Sequence, residues 1–437
     1  MTEARSLQVR LLYESLLPVN KTIRTLIAIP LFFLVATSGS AEDWPQFRGP
    51  GGQGHSTSQN LPISWDPDTN VVWKKNVPGN GWSSPVLSHG LIYLTTAVKK
   101  EENTTESGND ISLRALCMDA ESGDVLWNVE AAALSGETRI HPKNSHASAT
   151  PIVTGDRMFV HFASHGTAAL DLDGNIIWQE KIDYNPIHGT GSSPVLYEDL
   201  LIFNCDGSES PFVVALDSAT GKERWRTQRP DLAKMKFSFS TPLVIDVKGQ
   251  HQLVSAGSDL VCGYDPQSGK QLWMVQYPEK WSVVPRPVYA GGLVLISTGY
   301  EGPAELLAIR PNGSGNVTET HVVWRAKRFV PHSPSPIIYD NCVYLISDNG
   351  IASCRDLETG DLHWKERVGG TYSASPLLAE ERIYFMSEDG RCTVIQAAPK
   401  FHELARNDLK ERSLASITPT DGALLIRTIE GLYRIGR

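Results

Sequence analysis

Four stretches of this chain share one grammar: "CMDAESGDVLW" (Cys117–Trp127), "ALDSATGKERW" (Ala215–Trp225), "GYDPQSGKQLW" (Gly263–Trp273) and "CRDLETGDLHW" (Cys354–Trp364). Each reads Asp, two residues, Ser or Thr, Gly, three residues, Trp. An internal repeat of this length constrains the fold more than composition can, because one supersecondary unit must recur along the chain. Closing tryptophans stand at Trp73, Trp127, Trp178, Trp225, Trp273, Trp324 and Trp364, with intervals of 54, 51, 47, 48, 51 and 40 residues. The units also open alike. "SSP" (Ser83–Pro85), "ATP" (Ala149–Pro151), "SSP" (Ser192–Pro194), "STP" (Ser240–Pro242), "PRP" (Pro285–Pro287), "PSP" (Pro334–Pro336) and "ASP" (Ala374–Pro376) are followed by "LAS" (Leu414–Ser416), which lacks the proline. Eight openings predict eight units.

Inside a unit the pattern is that of strands. "GLIYLTTA" (Gly90–Ala97), "DRMFVHFA" (Asp156–Ala163), "NCVYLIS" (Asn341–Ser347) and "ERIYFMS" (Glu381–Ser387) are short β-branched and aromatic runs bounded by turn residues. "SDNGIAS" (Ser347–Ser353) and "SEDGRCT" (Ser387–Thr393) place Asn-Gly and Asp-Gly between such runs, a strong hairpin signal. No long helical period follows Ala41. Each unit is therefore expected to be four antiparallel strands. The repeated Asp ends one strand, and its carboxylate can accept backbone N–H bonds across the turn. The repeated Gly supplies left-handed backbone. The Trp rides on the outer strand, where burying an indole between two sheets contributes roughly 3 kcal/mol.

Radial repetition of four-stranded sheets makes a propeller with only short protected edges. The last unit, ending "GLYRIGR" (Gly431–Arg437), lacks a closing Trp strand, and the N-terminal "WDPDTNVVWKKNV" (Trp65–Val77) has one to spare. The expected architecture is all-β: an eight-bladed propeller over residues 41–437, closed by an N-terminal strand that completes the last blade.

Ahead of this, Lys21 and Arg24 precede the apolar run "TLIAIPLFFLVA" (Thr25–Ala36) and small residues to Ala41. That is the layout of a secretory signal. The run is shorter than the about 20 residues of a comfortable span. Cleavage after Ser40 is expected, with Met1–Pro18 an over-extended start; an uncleaved anchor is the alternative. The exported protein then resides in the periplasm or cell envelope. A net charge of −9 argues against nucleic acid as a partner. The six cysteines have no adjacent pair and no metal or haem spacing. Cys342 and Cys354 flank one turn and are the pair to test for a bridge. The acidic loop "KKEENTTESGND" (Lys99–Asp110) reads as a solvated insertion rather than a calcium loop.

The repeat resembles the tryptophan-docking motif of the pyrroloquinoline quinone (PQQ) propellers. These include quinoprotein alcohol dehydrogenases and the propeller lipoprotein of the outer-membrane barrel assembly machinery. "WPQFRGPGGQG" (Trp44–Gly54), "GWSSPV" (Gly81–Val86), "SVVPRPVY" (Ser282–Tyr289) and "YSASPL" (Tyr372–Leu377) resemble a family of exported bacterial PQQ-like repeat proteins. The resemblance to the dehydrogenases implies a quinone with calcium, an Asp base and an adjacent-cysteine disulfide, and that disulfide has no counterpart here. "GTGSSP" (Gly189–Pro194) is a repeat opening and not a nucleophile elbow.

In a propeller the segments before each first strand converge on one mouth. They place Trp82, His146, His188, Phe239, Arg286, His332 and Tyr372 there, with Arg139 and His141 in the preceding loop and Asp206 as a further polar candidate. Such a funnel suits an anionic or planar ligand: arginines for charge, aromatics for stacking, histidines as donors or metal ligands. A solvated channel is the other reading. Two functions follow. One is a monomeric non-catalytic scaffold without cofactor that binds an envelope protein or peptide. The other is a quinone- or metal-dependent oxidoreductase using PQQ and calcium.

Overall fold

A computed structural model of the chain describes residues 42–100, 110–136, 140–189, 191–207, 209–300 and 302–436. The signal segment, residues 101–109 of the acidic loop, and Arg139 lie outside the described residues.

The first blade consists of strands Val86–Ser88, Leu91–Lys99, Ile111–Asp119 and Val125–Leu134, hydrogen-bonded in chain order. Six more blades repeat this plan across residues 152–180, 195–228, 243–276, 288–326, 337–367 and 377–408. The eighth takes Thr418–Thr420, Ala423–Arg427 and Gly431–Gly436 from the C-terminus and Val71–Asn76 from the N-terminus. The N-terminal strand runs antiparallel to Gly431–Gly436, with Trp73 opposite Arg434. The chain is an eight-bladed propeller with the expected clasp. Two blades gain a short parallel strand: Gly315–Asn316 on the fourth and His55–Ser56 on the seventh. The one α-helix among the described residues is the single turn Thr318–His321, so none of them forms a helix long and apolar enough to cross a membrane.

The repeated motif turns out to join two blades. Each Asp bonds its own turn: Asp217 Oδ1 accepts from the amides of Ala219 and Thr220, and Asp356 Oδ1 from those of Glu358 and Thr359. The Gly, however, serves the neighbour. A Cβ on Gly221 would stand 2.6 Å from Cε3 of Trp178 of the preceding blade. Trp73, Trp127, Trp225 and Trp324 lie in the same way on Gly123, Gly174, Gly269 and Gly360. Indole Nε1 of Trp127, Trp178, Trp225 and Trp324 then donates to a turn carbonyl of that next blade, as Trp178 does to Ser218 at 3.0 Å and Trp225 to Pro266 at 3.1 Å, whereas Trp73 Nε1 is buried without a partner. Glycine is needed for its positive φ and also for the flat face it offers the ring. Trp273 departs from this. It is fully buried in its own blade and bonds Gln252 at 2.8 Å. Trp364 keeps the carbonyl bond, to Ala398, at a turn without the glycine.

The hydrophobic core is correspondingly a ring of layers between blades. Each cluster draws on two adjacent sheets, as Phe159 and Trp178 of the second blade meet Leu201 and Phe203 of the third. One larger cluster spans the seventh, eighth and first blades and takes in Trp44, Leu61 and Trp65 from the N-terminal segment. With Val77, the clasp is thus pinned by four buried apolar side chains as well as by its ladder. All six cysteines are buried free thiols, and Cys342 and Cys354 are not joined.

Candidate functional site

The residue before each opening proline carries a device that the sequence reading treated only as punctuation. Ser84 N–H donates to Thr150 Oγ1 at 3.0 Å, Thr150 to Ser193 at 2.9 Å and Ser193 to Thr241 at 2.9 Å. After Arg286, whose amide bonds Ser335 Oγ at 2.9 Å, the series runs Ser335 to Ser375 at 3.1 Å and Ser375 to Ser416 at 3.0 Å. Ser416 N–H returns to Ser84 Oγ at 3.2 Å. Small hydroxyl residues therefore link blade to blade around the axis. Arg286 is the one ring member without a hydroxyl. Each link is worth about 1 kcal/mol net, and all seven hydroxyl residues line the cavity described below.

Segment Trp44–Gly54 closes one side of this ring. Trp44 pairs with Leu87, and the Pro45 carbonyl accepts from Val153 at 2.8 Å. Arg286 Nη1 donates to the Phe47 carbonyl at 2.6 Å, and Arg48 Nη2 to the Pro336 carbonyl at 2.6 Å. Gly54 accepts from Leu378 at 2.8 Å. The first, second, fifth, sixth and seventh blades are all touched. Leu87, Val153 and Leu378 each lie three residues past their ring residue, whereas the funnel segments precede it. The segment is therefore a plug on the opposite side from the funnel. Its glycines fit the arginines: a Cβ on Gly52 would overlap the Arg286 guanidinium. Burial pushes the pKa of Arg286 down to about 9, and burial with the charge of Arg286 does the same to Arg48.

What remains is a blind cavity of about 680 Å³ with Phe47 and the hydroxyl ring at its closed end. That is within the range of small-molecule sites. Its walls carry Trp82, Phe237, Phe239, Trp281 and Tyr300, together with His141, His188, His332, Lys143 and Asp348. The His141 and His188 rings meet edge-on at 5.7 Å, and His188 meets Phe237 at 5.3 Å. Lys143, in the loop between the first two blades, reaches Glu388 of the seventh at 2.7 Å. Burial lowers the pKa of His188, with the neighbouring His141 adding to it. Burial lowers His332 as well, against the pull of Asp348. Both are neutral imidazoles at pH 7.

Of the candidates read from the sequence, the cavity lining brings together Trp82, His141, His188, Phe239 and His332. It does not include four others. Arg286 is 2% exposed and turned into the plug. Tyr372 packs in the layer between the sixth and seventh blades, where burial pushes its pKa up to about 12. His146 is buried against His165 at 6.0 Å. Asp206 is locked to Arg229 by bonds of 2.6 and 3.1 Å, inside the protein; burial raises its pKa against the pull of that arginine. Phe47, Lys143, Phe237, Trp281, Tyr300 and Asp348 were not anticipated. Trp281 did carry a signal, since it is out of phase with the closing tryptophans and so had no blade slot to fill.

The family model described as outer membrane protein assembly factor BamB matches residues 55–208, 209–319 and 320–399. This chain belongs to that family. BamB of Yersinia pestis is 22% identical over 270 residues, covering 50% of this chain and 67% of the relative. Subunit 1 of the methanol dehydrogenase [cytochrome c] of Paracoccus denitrificans is 33% identical over 142 residues, which is 28% of this chain and only 22% of that subunit. Among solved structures, BamB from Moraxella catarrhalis superposes with TM-score 0.57 at 14% identity, covering 83% of this chain and 98% of that one. The quinohemoprotein alcohol dehydrogenase from Comamonas testosteroni gives 0.62 at 11%, covering 90% and 80%. At such identities the likeness is one of fold.

The dehydrogenase relatives raise the question of a calcium-bound quinone, and the described lining residues do not fit one. PQQ is a tricarboxylate and needs cationic partners. Lys143, the one Lys or Arg among the described lining residues, is already paired with Glu388. Among the described residues no three His, Cys, Asp or Glu side chains converge to hold a metal ion. None of the six cysteines lines the cavity.

Proposed function

We propose that this chain is an exported, non-catalytic propeller that acts as a binding scaffold in the cell envelope. A protein or peptide segment is held in the blind funnel, and the scaffold works as a monomer without cofactor or nucleic acid. The observation that carries this reading is the plugged ring: the cavity has one mouth and a donor-rich closed end, and the one cation among its described lining residues, Lys143, is paired with Glu388. Membership of the BamB family supports a protein partner in the envelope. The competing reading, a quinone- or metal-dependent oxidoreductase, rests on the partial similarity to the methanol dehydrogenase subunit.

Photo-cross-linking from the funnel tests the scaffold. A benzophenone side chain at Leu414, in the lining, is expected to capture a discrete partner in intact cells, and one at Leu126, on an exposed outer strand, is not. Absence of any adduct from Leu414 removes the proposal. Titration with PQQ and calcium tests the alternative: a quinone absorbance band with a raised Tm would establish it in place of the scaffold.

A further inference from the structure

One corner of the cavity carries an unmet electrostatic demand. Trp281 and Tyr300 are joined by a backbone bridge, and the Tyr300 ring stacks on His332 at 4.4 Å with 17° between the planes. The His332 amide donates to Asp348 Oδ2 at 2.6 Å. The second oxygen, Asp348 Oδ1, is buried without a hydrogen-bond partner, and so is His332 Nδ1. Both side chains line the cavity, and each buries a polar atom unpaired, which costs about 1–3 kcal/mol.

The surroundings decide what kind of donor fits. Lys143 is paired with Glu388, so Asp348 is the charged side chain without an ion pair among the described lining residues. Lys280, whose field reaches His332, donates to the Pro303 carbonyl and does not line the cavity. Tyr300 keeps 39% of its surface open. Aromatic faces beside a carboxylate attract a positive donor group, through the ring quadrupole and the carboxylate together. They repel carboxylates and phosphates.

We propose that the corner formed by Trp281, Tyr300, His332 and Asp348 is a subsite for an organic ammonium group, carried as a lysine side chain or a free amino terminus on the segment held in the funnel. This rests on the funnel being the binding site and gives that site its ligand chemistry. An ammonium placed there lies against the aromatic faces with its charge beside the Asp348 carboxylate.

The test uses the purified chain and three probes followed by ligand-observed NMR: Nα-acetyl-lysine methylamide, its Nε-acetylated form, and glycine methylamide. The charged lysine probe is expected to bind at least about tenfold more tightly than the acetylated one. Preference for glycine methylamide over the lysine probe would assign the site to an amino terminus. Asp348→Asn keeps the Oδ acceptor for His332 N–H and removes the charge; it should weaken the charged probe at least about tenfold and leave the acetylated one unchanged. Tyr300→Leu, at a partly exposed position, should weaken it too and serves if Asp348→Asn does not fold. Equal binding of charged and neutral probes, no binding of either amine, or full binding by Asp348→Asn would overturn the proposal. Cross-linking from Leu414 that persists in Asp348→Asn while the probes fail would leave the scaffold standing without this subsite. Loss of all cross-links with probe binding intact would do the reverse.

Discussion

Replacing Gly221 with alanine tests the docking of one blade on the next. Its φ of +75° lies in the left-handed region, where an L-residue costs about 1–2 kcal/mol. The new Cβ would also stand 2.6 Å from Trp178 Cε3 and 2.8 Å from Cδ2, well inside ordinary contact. The indole must lift, which strains its 3.0 Å bond to the Ser218 carbonyl and exposes part of a ring now 8% exposed. A strained hydrogen bond and partial loss of indole burial add about 2 kcal/mol, so the total is about 3–4 kcal/mol. Gly249 is the matched control: its φ is +86°, and a Cβ there meets nothing within 4 Å. Gly249→Ala should cost only the backbone share, about 1–2 kcal/mol. Urea unfolding followed by tryptophan fluorescence and circular dichroism reads the difference. In a Trp178→Leu background the excess at Gly221 should vanish, as a double-mutant cycle requires. Equal losses at Gly221 and Gly249, or an excess that survives without the indole, would refute the two-blade reading of the motif.

Other outcomes follow from the same structure. Burial holds the pKa of His161 down to about 3, with Nδ1 2.8 Å from Thr167 Oγ1. The unfolded chain therefore takes up a proton near pH 6.5 that the folded chain refuses, and stability should fall by about 1.4 kcal/mol per pH unit below that point; His161→Asn should flatten the slope in a pH series of melts. Asp119 and Asp356 are held below the usual carboxylate range by the backbone N–H groups of Ser122 and Thr359. Their contribution is present above about pH 4 and is lost as pH falls through the depressed values, so Asp119→Asn should lower stability at pH 7 and have little effect below pH 3. Arg286→Ser restores a hydroxyl to the ring but frees the Phe47 carbonyl; it should loosen the plug, read as faster exchange of the Gly52 and Gly54 amides than in the wild type. Deleting residues 43–77 removes the clasp strand and four core side chains, Trp44, Leu61, Trp65 and Val77, and should abolish cooperative melting.

Much of the fold could be read in the chain because its repeat is written in residues with steric jobs. Eight openings count eight blades, and the spare Trp73 finds the half-blade that lacks one. The site was less legible. His332 and Tyr372 both stand four residues before their prolines, yet one lines the cavity and the other packs between blades. The segments ahead of the first strands are irregular, so no period-2 alternation fixes which way a side chain points. Arg286 occupies the place of a ring hydroxyl, and only the plug across the axis explains why its side chain turns away from the funnel. The plug itself, "WPQFRGPGGQG", has no periodicity to betray it, and its Gly52 is set by Arg286, far away in sequence.

The reading of the cavity as a dead-end binding site stands on that plug. Hydrogen–deuterium exchange with mass spectrometry across Trp44–Gly54 measures it directly. The amides of Trp44, Gly52 and Gly54, bonded to the carbonyls of Leu87, Gly49 and Arg48, should exchange as slowly as those of the inner strands. Exchange within seconds, at the rate of exposed turns, would make the cavity an open channel and contradict the account.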